Sequence, residues 1–511
     1  MKSKMKTNVA RIAAVASVAV AAGCASLPSV GPNYEEPELS ATFVALPDAG
    51  QPTTNLTESC EYRPAASNED VRVVITTNTV AHWWTSFNDP VLESLVVGGV
   101  SNNVSFLMAQ TRLEQAAWEL LGSFAGFLPH FGVEGGWNRY WYRPETRSGG
   151  GNYNRYNVRR FAVDGDWEID VFGGTRRLAE SALAQAESAG WTVADAWVAL
   201  TTQIGLQYVR LRTVQERIDV ARTNLVLQSE TYEILKSRLE SGIGDELAVN
   251  QCAYIVEQTR ARIPQLLAEE EALKNAIAIL AGEAPGALDE ALRPQERRDW
   301  LLAPQRLEGL SLDMMRARPD VRAAERALAA QTARIGVAKA AWFPRLFVSG
   351  QVGWENRHRT KLFSRDSFLA SLGPAVSWPI FQGGAVYANV KAAEAKTAEL
   401  ALAYELAVET AYGEVRDAYA SYTQEYHRYQ SLQGAVKAAT DAVTISQDLY
   451  MNGLKDFNNV LDAQRSRLQL EEELVISRGQ ITMELIRLYR ALGGGLAAPD
   501  DENLPTRQNN E

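Results

Sequence analysis

The stretch DWEIDVFGGTRRLAE, residues 166–180, is repeated in altered form as VSWPIFQGGAVYANV, residues 376–390. Both contain a tryptophan, a phenylalanine and two adjacent glycines, and both continue as a long helix-forming run. Other landmarks recur in the same order at offsets of 211 to 215 residues: Gly242 and Gly453, Asp245 and Asp456, Pro129 and Pro344. We interpret residues 83–300 and 301–495 as two copies of one unit.

Composition narrows the function before any motif is considered. The chain has 511 residues and a net charge of −11, which disfavours nucleic acid as a partner. Three cysteines are too few for a disulfide framework. Cys252 lies on an apolar helical stripe and is predicted to be a core residue. Residues 496–511 form a polar tail.

Residues 1–23 have the pattern of a lipoprotein signal peptide. Basic residues precede an apolar stretch, residues 12–22, that is too short to span a bilayer. The stretch ends in AAGC, which predicts lipidation of Cys24, with an ordinary cleavage site as the alternative. An extended segment, residues 24–82, follows; within it, VRVVITT at residues 71–77 is predicted to be a strand. The sequence assigns no role to residues 45–82 or to Cys60.

Four segments alternate apolar and polar residues, a pattern that predicts strands with one dry face. They are FGVEGGWNRYWY (131–142), RFAVDGDWEID (160–170), RLFVSGQVGW (345–354) and SFLASLGPAVSW (367–378). Each is about 10–12 residues long, enough to cross a bilayer when tilted. Tryptophan and tyrosine cluster near the strand ends, as at a membrane interface. A soluble sandwich is the alternative. The intervening residues 143–157 and 355–366 are predicted to be polar loops, the second of them basic.

Four strands cannot close a barrel, and an open sheet edge in lipid would leave backbone groups unpaired. The chain is therefore expected to oligomerise. Three copies would supply twelve strands, an even number within the range of membrane barrels.

Long helices are predicted between the strand pairs. Residues 175–240 contain no proline and carry apolar residues at heptad spacing. A second helix is predicted over residues 246–280, and its counterpart in the second copy over residues 457–492. Gly242 and Gly453 suit the left-handed position after a helix, and Asp245 and Asp456 suit the N-cap of the returning helix.

The junctions between strands and helices carry glycine or proline. Gly173, Gly174, Gly383 and Gly384 are predicted to take backbone angles that other residues avoid, where a strand turns into a helix. Pro129 and Pro344 are predicted to end the incoming helix and start a strand. The fold class is therefore mainly α with a transmembrane β part, built on an internal two-fold repeat.

Several motifs resemble those of the TolC-like outer-membrane efflux ducts, in the lipoprotein branch that serves resistance-nodulation-division (RND) pumps. They are VGPNYEEPEL (30–39), WWTSFNDPVLESLV (83–96), the run from Arg316 to Leu346, PIFQGG (379–384) and NVLDAQRSRL (459–468). The resemblance implies a homotrimer with a twelve-strand barrel in the outer membrane and a helical tunnel in the periplasm. It also implies a periplasmic adaptor and an inner-membrane pump as partners, and export of small molecules or metal ions.

The resemblance also implies a constriction at the VLDA helix start. Asp462 would line it, with Asn459 three residues earlier on the same face; a surface carboxylate is the alternative for Asp462. Tyr450 and Lys455 stand where the family has residues that latch neighbouring helices. The first copy has Gln251 at the position of Asp462, so the hairpins are not equivalent. Arg318-Pro319-Asp320 is predicted to be structural.

Other functions are disfavoured by the motifs. The four histidines, His82, His130, His358 and His427, lack metal-ligand spacing, and no phosphate-binding or hydrolase motif occurs. We therefore expect no catalytic residues, no metal and no cofactor. A soluble coiled-coil scaffold would not explain the lipoprotein signal or the four strands. A duct for type I protein secretion is the alternative within the family.

Overall fold

A computed structural model describes residues 29–37, 72–74, 82–142, 154–294, 306–308, 316–356 and 362–494. The predicted signal peptide, Cys24, Cys60, His358 and the polar tail lie outside these residues.

The helices and strands follow one order twice. The chain runs through β1 (Arg72–Val74), α1 (Pro90–Asn102), α2 (Val104–Phe124), β2 (His130–Tyr142), β3 (Asn154–Ile169), α3 (Gly174–Glu240) and α4 (Glu246–Ala281). It continues through β4 (Arg306–Glu308), α5 (Pro319–Ala340), β5 (Arg345–Asn356), β6 (Phe368–Ser377), α6 (Ala385–Met451) and α7 (Phe457–Ala491). The series α2-β2-β3-α3-α4 thus recurs as α5-β5-β6-α6-α7.

The predicted long helices are confirmed. Helices α3 and α6 each contain 67 residues, and the returning helices α4 and α7 contain 36 and 35. Helices this long are stabilised mainly by burying an apolar stripe. Heptad positions Leu211, Val214 and Ile218 of α3 are buried accordingly, at 0–3% exposure.

In the turns between paired helices, the four predicted residues occupy the predicted positions. Gly242 and Gly453 adopt positive φ angles of 75° and 73°. The Asp245 carboxylate accepts a hydrogen bond of 3.0 Å from the Leu247 amide and so caps α4. Asp456 occupies the N-cap position of α7, as predicted, but its side chain accepts no capping hydrogen bond there. The Asn459 side chain instead donates to the Asp456 carbonyl, at 3.1 Å.

The described residues divide into two compact units. The first lies within Arg112–Gly190 and Ala323–Glu405, together with the N-terminal residues 29–37. It holds an antiparallel sheet in the order β2-β3-β5-β6. The strands contain 10 to 16 residues, and β3 begins at Asn154. Residues 154–157, predicted as loop, are therefore strand, because they pair with the end of β2. Glu355 and Asn356, also predicted as loop, extend β5 by pairing with β3.

The strand-to-helix junctions confirm three of the four glycine predictions. Gly173, Gly383 and Gly384 have φ angles of 83°, 59° and 86°. Gly174 does not have a positive φ, and α3 begins there. Its lack of a side chain serves close packing instead, because a Cβ on Gly174 would lie 3.2 Å from that of Ala340. Pro129 and Pro344 each stand directly before a strand, as predicted.

The second unit lies within Leu39–Thr111, Trp191–Arg322 and Leu406–Glu511 and holds the main hydrophobic core. Trp83 is 2% exposed and stacks on Tyr489, with ring centroids 6.5 Å apart. The strand predicted within residues 71–77 is present as β1 and pairs in parallel with β4. Cys252 is buried, as predicted, and burial raises the pKa of its thiol to about 11.

Among the described helices, none alone is long and apolar enough to cross a membrane, although α1 and α2 together, bent by 43°, meet the criterion by length and composition.

Candidate functional site

The four-stranded sheet has one apolar and one polar face. Side chains alternate along a strand and the pairing registers match, so one face collects apolar residues from all four strands. They include Phe131, Val133, Phe161, Val163, Val348, Val352, Leu372 and Val376. This face is largely exposed in the single chain: Phe131 is 76% exposed, Val133 68%, Leu372 82% and Val376 65%. An exposed apolar surface of this extent needs lipid or protein to cover it.

The opposite face is charged and hydrogen-bonded across the strands. The Arg160 guanidinium in β3 lies 3.4 Å from the Glu134 carboxylate in β2 and 2.9 Å from Asp164. It also donates to the Gln351 side chain in β5, at 2.5 Å. Arg160 therefore links three neighbouring strands. The sequence analysis did not single it out, although its alternation with Phe161 and Val163 places it on the wet face.

The outer strands of this sheet are β2 and β6, and each pairs with one neighbour only. Their outward backbone groups are available to another strand. In lipid, unpaired N–H and C=O groups cost several kcal/mol each, on the order of a lost hydrogen bond. The sheet as it stands in one chain is thus incomplete for a membrane.

A small hydrophobic cluster holds the two helical turns together, within the second unit. It joins Leu235, Ala248, Cys252, Ile255, Phe457, Val460 and Leu461. The Tyr450 ring packs against it, 5.1 Å from the Phe457 ring. The Arg238 guanidinium lies over the tyrosine ring, 5.6 Å from its centroid. Sequence reasoning identified Tyr450 but missed Arg238, whose only signal is its place in the last turn of α3.

The predicted constriction residues occupy the exposed start of α7. The Asp462 carboxylate is 78% exposed, and the Arg465 guanidinium lies 3.7 Å away. Arg465 also stands over the Tyr254 ring, at 5.2 Å. The Asn459 side chain donates to the Asp456 carbonyl, as described above. Lys455 is exposed in the turn that precedes α7. Arg465 was missed from the sequence, and it reduces the field of Asp462.

The described N-terminal residues are fixed to the first unit. The Val30 amide donates to the Phe172 carbonyl at 3.1 Å, just after β3. Arg177 in α3 donates to the Asn33 side chain at 2.7 Å. Gly31 has a φ of 105°, and its backbone packs directly on Gly336 of α5. The chain therefore passes close to the strand-to-helix junction within a few residues of Cys24.

No group of three or more His, Cys, Asp or Glu side chains in the described part of the chain could hold a metal ion.

Comparison with known proteins agrees with these features. The family model described as "Outer membrane efflux protein" matches residues 100–283 and 313–494. Nodulation protein T of Rhizobium leguminosarum bv. viciae is 31% identical over 465 residues, covering 91% of this chain and 93% of that protein. Outer membrane protein OprJ of Pseudomonas aeruginosa is 29% identical over 419 residues, covering 81% and 86%. The solved structure of the outer-membrane channel OprN has a TM-score of 0.77 at 29% identity, covering 91% and 99%.

A sheet with one dry and one wet face, joined to helical hairpins of this length, is the fold of a TolC-like outer-membrane channel. The chain belongs to the outer membrane efflux protein family. Its function is that of an outer-membrane channel in an RND-type efflux system, as the sequence motifs predicted. The family consists of transport channels rather than enzymes.

Proposed function

We propose that three copies of this chain form a passive duct that exports small molecules or metal ions across the periplasm and outer membrane. The observation that carries the proposal is the sheet, which has an exposed apolar face, a charged opposite face and two unpaired edges. Three such sheets, joined edge to edge, would form a twelve-strand barrel with its apolar face in lipid. The charged face would then line a wet bore.

The energy for export would come from an inner-membrane RND pump through a periplasmic adaptor. A duct that admits many solutes has no pocket that selects one, so selection of the cargo belongs to the pump. Membership of the RND-type class supports this arrangement over type I protein secretion.

The duct would also be lipid-anchored at Cys24. The Val30 amide is fixed beside the end of β3, and Cys24 lies only six positions before it in the sequence. An extended chain of that length reaches about 20 Å. Acyl chains on Cys24 could therefore enter the bilayer that the sheet spans.

The second hairpin would carry the gate. Asp462 of three copies would narrow the bore, and Tyr450 and Lys455 would hold the neighbouring helices closed. Carboxylates several ångströms apart in a wet site repel by roughly 1–3 kcal/mol at high effective dielectric. Arg465 lowers that repulsion, because it stands 3.7 Å from Asp462.

Native mass spectrometry of the detergent-solubilised protein tests the assembly and the anchor together. The expected species is three mature chains, each starting at Cys24 and carrying acyl mass. The Cys24→Ser variant should lose the acyl mass and retain its signal peptide. A membrane-inserted monomer or dimer would contradict the trimer, and a mature chain starting elsewhere without acyl mass would contradict the anchor.

A further inference from the structure

The internal repeat predicts how the sheet of one chain pairs with the sheet of the next chain. Within the chain, the seam between the two repeat copies is the pairing of β3 with β5. We propose that β6 pairs antiparallel with β2 of a second copy in the register of that seam, so that Ser377 lies opposite Glu134 of the next copy. This inference rests on the proposed trimer and specifies its sheet interface.

Two equivalent hydrogen bonds show which residues of the two repeat units correspond. The Trp167 indole donates to the Phe127 carbonyl at 3.0 Å, and the Trp378 indole donates to the Trp342 carbonyl at 3.0 Å. The tryptophans are 211 residues apart, and the carbonyls are 215 apart.

The same two offsets reproduce a register that the structure contains. In the first hairpin His130 lies opposite Asp166, and adding 215 and 211 residues gives Arg345 opposite Ser377. That pair is present in the second hairpin. Applied to the β3–β5 pairing inside one chain, the two offsets therefore give the β6–β2 pairing between neighbouring chains.

The resulting pairs are chemically matched. Trp167 lies opposite Val348 inside the chain, and the corresponding pair between copies is Trp378 with Val133. A tryptophan meets a valine in both seams. Aromatic and β-branched residues directly opposite each other stabilise a sheet by roughly 0.2–1 kcal/mol.

The neighbouring pair on the wet face also matches. Asp166 lies opposite Ser349 inside the chain, and the corresponding pair is Ser377 opposite Glu134. The carboxylate and the hydroxyl have exchanged strands, so each seam joins one acceptor to one donor.

Burial distinguishes the covered seam from the open edges. Trp167 is 38% exposed, whereas Trp378 is 56% exposed, and Val133 is 68% exposed. Ala162 of β3 is 1% exposed and packs so closely against Gly353 of β5 that a Cβ on Gly353 would clash with it. Gly373, which corresponds to Ala162 in β6, has nothing within 4 Å of an added Cβ. A strand of a second copy would cover these open positions. Each copy offers two different edges, so three copies can close a ring.

Disulfide trapping tests the register. Chains carrying Ser377→Cys with Glu134→Cys are oxidised in outer membranes, and the product is read on a non-reducing denaturing gel. The matched controls pair Ser377→Cys with Gly132→Cys or Gly136→Cys, two residues away on the same face. Both glycines have open space for a side chain and ordinary φ angles. Single-cysteine variants measure any cross-linking through native cysteines.

The predicted result is a covalent, reducible trimer from the 134–377 pair, with at least about fivefold less product from either control, because a disulfide requires Cβ atoms about 4 Å apart. Preferential trapping of either control pair would overturn the register and leave the trimer intact. No trapping by any pair, in protein that native mass spectrometry finds trimeric, would mean that these edges do not meet. Protein that is not trimeric would instead refute the proposed function.

Discussion

The two repeat copies make the same junction with different chemistry. In the first copy, the Asn103 side chain donates to the Leu280 carbonyl near the end of α4, at 3.0 Å. In the second, the Arg318 guanidinium donates to the Ala491 carbonyl at the end of α7, at 2.7 Å. The two donors are 215 residues apart and the two acceptors 211 apart, so they correspond under the offsets of the repeat.

Asn103 and Arg318 differ in charge and in the partners that they contact. Asn103 is neutral, and it also caps α2 by accepting a hydrogen bond of 3.0 Å from the Phe106 amide. Arg318 adds ion pairs of 2.8 Å to Asp320 and 2.7 Å to Glu414. The two copies therefore share the position of this contact but not the residue that makes it. Where the first copy has a neutral cap, the second has a buried charge with two carboxylate partners.

Removing the positive charge of Arg318 should have the largest effect on stability. Arg318→Met would leave the Ala491 carbonyl without its donor and two carboxylates without their cation. Loss of one partner from a buried pair costs about 3–5 kcal/mol, and we expect the lower end because both carboxylates are partly exposed. Guanidinium unfolding of the detergent-solubilised protein, followed by circular dichroism, measures it. Arg316→Met, at an exposed arginine, is the control and should be near neutral.

The corresponding change in the first copy should cost less. Asn103→Ala removes one cap and one hydrogen bond, each worth about 1 kcal/mol, so the expected loss is about 2 kcal/mol. The same unfolding experiment compares the two. A loss for Asn103→Ala as large as that for Arg318→Met would show that the added charge contributes nothing.

Acid should weaken the junction made by Arg318 but not the junction made by Asn103. Burial by itself raises the pKa of the Asp320 carboxyl, but the hydrogen bond and charge of Arg318 outweigh it and hold the pKa below 3.8. The stabilisation is therefore complete above pH 3.8 and lost as pH falls through the lower, folded-state pKa. The difference between wild type and Arg318→Met should narrow in that range, whereas the deficit of Asn103→Ala should not change. A constant Arg318 deficit down to full protonation would argue against the ion pair.

The smallest difference in stability between the two repeat copies is expected at the helical turns. Asp245→Ala removes a cap from α4 and should cost about 1 kcal/mol locally. Asp456→Ala should cost almost nothing through its side chain, because that side chain caps nothing. Hydrogen exchange by mass spectrometry compares the peptides that contain Leu247 and Asn459. Equal acceleration in both would mean that the two aspartates act alike.

Regular features of this fold were readable from sequence because they depend on periodicity and on a few residues with special backbone angles. Heptad spacing predicted α3 and α4 to within a residue or two, and Gly242 marked the turn between them. Gly453 marked the corresponding turn between α6 and α7. The start of β3 was missed because residues 154–157 are polar, and only pairing with β2 makes them strand. Sequence distance also hid the partner of Tyr450, since Arg238 reaches the tyrosine from another helix. The partner of Asp462, Arg465, stands only three residues later in the same helix, but the sequence does not show that the two side chains meet.

Bilayer recording can test whether the second hairpin carries the gate, by changing the same position in both repeat copies. Asp462 and Gln251 are 211 residues apart and correspond in the repeat, but only Asp462 carries charge. In a salt gradient, Asp462→Ala should move the reversal potential toward zero, because the variant would lack the proposed ring of carboxylates that favours cations. Gln251→Ala should leave it unchanged. An unchanged reversal potential in Asp462→Ala, or an equal shift in both variants, would contradict a gate carried by the second hairpin.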